Sequence, residues 1–228
     1  MNSMPKIFFL MSSFFSLFSA SASEQLIVVL SRDINSTTAM MQRYEKVIHW
    51  HKVGAAVPVT LGRNGLGWSK GAEPLKYEGD GRSPAGLFSI SRTFGYGEHS
   101  LSQMPYLHAD STLICIDDGS DQRYNQMAIL DPLNPPKSYE KMRRDDEVYR
   151  NGAIIEYNTA GVSGRGSCIF IHLNHPDNHP TSGCTAMDQA ALEELLTWLD
   201  PLKSPKILQI PLNECKQYQK DYEGIECD

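Results

Sequence analysis

The chain has 228 residues and a formal net charge of −6, with 21 basic side chains against 27 acidic ones. That length suits one sizeable domain or two small ones. An acidic chain without a run of Lys and Arg lacks the clustered cations that phosphate contacts need, which argues against nucleic-acid binding.

In chain order, residues 1–22 read as a signal peptide. Lys6 supplies a thin positive start, Ile7 to Phe18 is an apolar run broken by serines, and Ala20-Ser21-Ala22 is a small-x-small cleavage site. The run is too short for a bilayer core of about 30 Å, and no later segment could span one, so no stable membrane insertion is expected after cleavage. Export places the mature chain in the periplasm or cell envelope.

Short β-branched or aromatic runs bounded by Gly, Pro, Asn and Asp predict the strands. They are QLIVVL (25–30), AAVPVTLG (55–62), GLFSISRTF (86–94), TLICID (112–117), GAIIEY (152–157), CIFIHL (168–173) and KILQIP (206–211). SYEKMRRDDEVYR (138–150) is a candidate helix with charges on most faces. A clearer helix follows Asp188, its expected cap. Leu192, Leu195, Leu196 and Leu199 recur at i, i+3, i+4 and i+7, and Pro201 lies just past the end. The expectation is a mainly β fold with one or two peripheral helices, forming a single domain over 23–212 and a polar tail over 213–228.

The chain has five cysteines. In an oxidising compartment thiols tend to pair, and an odd count leaves at least one free. Cys215 and Cys227 bracket the polar tail and are expected to bridge, tying it down. Cys115 and Cys168 lie in apolar strand-like runs, as buried thiols or as a second bridge.

The stretch HLNHPDNHPTSGCTAM (172–187) holds three histidines and one cysteine. His172, His175, His179 and Cys184 could all ligate zinc. Pro176 and Pro180 rule out the regular helix that their spacing would use, and no second Cys pair accompanies them. The nucleophile reading explains more, and neither a metal nor a cofactor is expected. CIFIHL presents His172 at a strand end, and a loop returns through Thr181-Ser182-Gly183 to Cys184 at the entrance of the helix. Gly183 permits close approach of a substrate backbone or a turn with positive φ. Free backbone N–H groups of the turn would face a developing oxyanion. Cys184 beside His172 is then a candidate thiolate–imidazolium pair.

IFIHL followed by TSGCTAM resembles the active-site segment of the L,D-transpeptidase catalytic domain family, YkuD. EGDGRSPAGLFSI (78–90) is similar to the family's glycine-rich turn; here Gly79, Gly81, Pro84 and Gly86 read as a tight turn entering the strand at Leu87. CIDDGSDQRYNQ (115–126), Met142 to Asp145 and EYNT (156–159) extend the resemblance over roughly residues 50 to 211. It implies a YkuD-like β-sandwich with a helix following the active-site cysteine. It also implies Cys184 as nucleophile and His172 as base, with Gly183, Ser182, Thr181 and Thr185 around the substrate or oxyanion.

The implied substrates are peptidoglycan stem peptides. The thioester would be resolved by an amine to form a cross-link or exchange the terminal D-residue, or by water, giving an L,D-carboxypeptidase. A wall-anchored protein is a candidate acceptor. Rival readings are another thiol hydrolase of the wall and a non-catalytic wall-binding module. The sequence departs from the family in placing Thr185 and Ala186 after the cysteine, where most members have an apolar residue and then Arg. The His-to-Cys spacing is also shorter. Arg82, Arg123, Arg143 and Arg165 are candidates for the missing charge, while His175 and His179 are read as rim residues.

Overall fold

A computed structural model describes residues 23–227; the expected signal peptide, 1–22, lies outside them. The strands are β1 (Glu24–Ser31), β2 (Thr38–Lys46), β3 (Trp50–Thr60), β4 (Leu66–Trp68), β5 (Ser83–Gly95), β6 (Tyr106–His108), β7 (Leu113–Cys115), β8 (Met127–Ile129), β9 (Glu140–Lys141), β10 (Asn151–Ile155), β11 (Phe170–Leu173), β12 (Thr185–Met187) and β13 (Lys206–Pro211). The helices are α1 (Gln189–Trp198) and the single turn α2 (Cys215–Tyr218). The fold is a mainly β sandwich with peripheral helices. No helix among the described residues is long and apolar enough to cross a membrane.

The main sheet runs β10-β11-β12-β3-β2-β1-β13-β5-β4. The long β5 pairs with β13 through residues 86–89 and with β10 through Ile90 to Gly95, so the sheet closes on itself. A small sheet, β8-β7-β9, stands apart. The apolar run of β1 is explained by burial on both faces. Ile27 and Val29 point into the core shared with α1, while Leu26 and Val28 pack under the C-terminal tail with Trp50, Cys215 and Ile225. Cys215 and Cys227 are bridged, which fastens that tail.

Helix α1 buries Leu192, Leu195 and Leu196 in the core. Asp188 occupies the N-cap position without making a side-chain cap bond; its carboxylate instead accepts from Asn174 Nδ2 at 3.1 Å.

The expected helix over 138–150 is absent. Residues 140–141 form β9, and Glu147 has φ +59, a left-handed conformation. The segment has no continuous apolar stripe to hold a helix against the core. Arg144 pairs with Asp146 and Glu140 accepts from Tyr149 instead, and Met142 N–H is tied to Leu113 O. β5 begins at Ser83, so Pro84 and Gly86 lie within the strand; only Gly79 and Gly81, with φ +72 and +68, form the turn before it.

Candidate active site

The parallel pairing of β11 with β12 places His172 opposite Ala186 and brings Cys184 to the mouth of β12. Phe170 N–H donates to Cys184 Sγ at 3.4 Å, and the thiol faces the Cys168 carbonyl at 3.6 Å. Cys168 is bridged to Cys115 on β7, which leaves Cys184 as the one free cysteine.

The turn before Cys184 is clamped by hydroxyls. Thr181 Oγ1 accepts from Gly183 N–H at 3.1 Å and donates to the Cys184 carbonyl at 2.6 Å, and Ser83 Oγ donates to the same carbonyl at 2.9 Å. Gly183 has φ +151, and a Cβ there would stand 3.0 Å from Arg82 O, so both backbone and space favour glycine. The Gly183 N–H, expected to be free for an oxyanion, is occupied by Thr181. Thr185 is fully buried, bonds Gln209 and does not line the cavity that holds Cys184.

Cys184 and His172 both line a cavity of about 290 Å³. Thr181, Ser182, Gly183 and Gly79 share its wall, and His175 and His179 stack with centroids 4.1 Å apart where they line it. No group of three or more His, Cys, Asp or Glu among the described residues could hold a metal ion.

Residues that sequence reasoning assigned no site role also line the cavity, among them Arg63, Lys76, Glu78, Glu140, Arg144, Asp146 and Tyr149. Tyr149 packs edge-on to His172 with centroids 5.1 Å apart, and its hydroxyl donates to Glu140 at 2.9 Å. None of the four arginines considered from sequence lines the cavity. Arg82 donates to Leu66 O, Arg123 pairs with Asp121, Arg143 covers the Tyr96 ring and Arg165 donates to Ser69 O.

Burial sets the protonation states. It pushes the Cys184 thiol up to about 12, with the Glu140 charge adding to the shift. It pushes His172 down to about 4. The resting pair is therefore neutral thiol and neutral imidazole, not the ion pair expected from sequence, because desolvation disfavours both charged forms. His172 Nδ1 lies 2.7 Å from Leu173 O. A carbonyl only accepts, so the proton sits on Nδ1 and the Nε2 lone pair is left as the base.

A family model describing the L,D-transpeptidase catalytic domain, YkuD, matches residues 28–207. No curated protein and no solved structure matches significantly. The family match takes in β5, the strand β11 that carries His172, and the loop that leads to Cys184 and β12, and by it the chain belongs to the YkuD family of L,D-transpeptidase catalytic domains.

Proposed function

We propose that this is an exported cell-wall enzyme that acts on peptidoglycan stem peptides through a thioester on Cys184. The observation that carries the reading is the one free cysteine sharing a cavity wall with a histidine whose tautomer leaves Nε2 unprotonated.

From a neutral pair, thiol deprotonation and attack are coupled. The Cys184 proton passes to His172 Nε2 as Sγ bonds to the stem carbonyl, so negative charge appears on the substrate oxygen rather than on a buried sulfur. The Cys184 N–H is the oxyanion donor we assign, since Thr181 occupies that of Gly183. His172 then protonates the leaving amine as the carbon–nitrogen bond breaks, and the thioester remains. An acceptor amine attacks it, His172 takes the amine's proton, and Cys184 leaves with that proton returned. Resolution by water in place of the amine gives the L,D-carboxypeptidase.

Incubating mature protein with tetrapeptide muropeptides and weighing the products tests the reading. Dimers identify transpeptidation, and tripeptides alone identify the carboxypeptidase. Cys184→Ser is expected to lose several powers of ten in rate while staying folded. Unchanged substrate, or full turnover by Cys184→Ser, counts against the proposal.

A further inference from the structure

We infer that Arg63 binds a carboxylate of the peptide held in the Cys184 cavity, an inference that rests on reading this cavity as a peptide site. Three cationic side chains other than histidine line the cavity: Arg63, Lys76 and Arg144. Two are already neutralised. Lys76 Nζ is buried against Asp80 at 2.7 Å, and Arg144 holds Asp146 through Nε at 2.9 Å and Nη2 at 2.5 Å. Arg63 pairs with no carboxylate among the described residues. Its guanidinium contacts only neutral groups, Ser182 Oγ at 3.2 Å through Nη1 and Gly79 O at 3.4 Å through Nη2.

The chain seats this side chain. Arg63 N–H donates to Thr181 O at 2.8 Å, which ties its backbone to the Cys184 turn. Gly81 lies beneath the side chain, where a Cβ would come 2.8 Å from both Arg63 Cγ and Cζ. A planar fork held over two glycines, exposed on the cavity side, loses little freedom when it takes a two-oxygen anion. Ser182, its contact, stands two residues before Cys184, a span of at most about 7 Å. Arg63 and Cys184 line the same cavity, so a carboxylate at Arg63 lies within one stem peptide of the bond that Cys184 attacks. Two sources fit: the terminal carboxylate of the leaving residue, and a carboxylate on the side chain of the residue under attack.

Calorimetric titration of Cys184→Ala protein, which cannot turn over, separates them. The probes are a tetrapeptide stem with all carboxylates free, its C-terminal amide, and the analogue with side-chain carboxylates amidated. Arg63→Gln is expected to weaken binding of the free stem roughly ten- to hundredfold, and Arg63→Lys to recover part of that. Loss of the Arg63 effect with one amide assigns the source. An Arg63 effect that persists with both amides, equal affinity of Arg63→Gln and its parent for the free stem, or no binding of any stem overturns the inference. Carboxylate-selective binding without turnover by the Cys184 protein would instead leave the Arg63 site standing and remove the proposed reaction.

Discussion

Raising the pH on the wild type and on Cys184→Ala, and following thiolate ultraviolet absorbance, isolates the ionisation of one thiol, because the other four cysteines are bridged. Burial moves Cys184 from 9.0 to about 12. Each unit is tenfold, so near pH 7 only about one molecule in 10⁵ carries the thiolate. The same burial moves His172 from 6.5 to about 4, which leaves roughly one imidazolium in a thousand near pH 7. An ion pair would have to overcome both desolvation costs at once, within a wall that also holds Glu140. The difference absorbance is expected to stay flat to about pH 10 and rise only beyond it. Iodoacetamide should label Cys184 slowly near neutrality, its rate climbing about tenfold per pH unit with the thiolate fraction. A full thiolate step between about pH 5 and 8 would refute the reasoning, because it requires the imidazolium to hold the sulfur ionised.

His172 should also make the fold acid-sensitive. Its folded value lies below its unfolded one, so the unfolded state binds the extra proton, and the stability is intact above 6.5 and lost as pH falls towards about 4. Denaturant melts at about pH 7 and 5 should show the wild type losing about 2 kcal/mol more than His172→Gln; equal losses would remove His172 as the cause. Carbapenems, whose lactam carbonyl mimics the donor carbonyl, are expected to leave one covalent adduct by intact mass, and an adduct surviving in Cys184→Ala would place the reaction elsewhere. Gly152 sits opposite His172, and a Cβ there would meet Phe94 Cζ at 2.3 Å and Ile171 O at 2.6 Å. Gly152→Ala should therefore cost about 1–3 kcal/mol, read by chemical denaturation, and a melt unchanged from wild type would show that β10 and β11 can part without loss.

Local pattern suffices where one chemistry decides the structure. The leucines after Asp188 repeat at helical spacing and become the buried face of α1, and KILQIP, apolar on both faces, becomes β13 between two neighbours. The pattern misleads where tertiary partners override it. β2 is not evident in TAMMQRYEK because Arg43 lies on its buried side, kept there by Glu194 and the Trp198 ring. The charged stretch 138–150 reads as a solvated helix, yet it supplies Glu140, Arg144 and Tyr149 to the cavity. Cys184 and His172 are legible as candidates because they lie in one short segment with its own signature. Arg63, Lys76 and Tyr149 come from distant segments that only the closed sheet brings to the same wall. The sequence by itself determined which groups could do the chemistry. Their protonation was decided by the tertiary structure, because a thiol or an imidazole takes its pKa from how much water the fold removes around it.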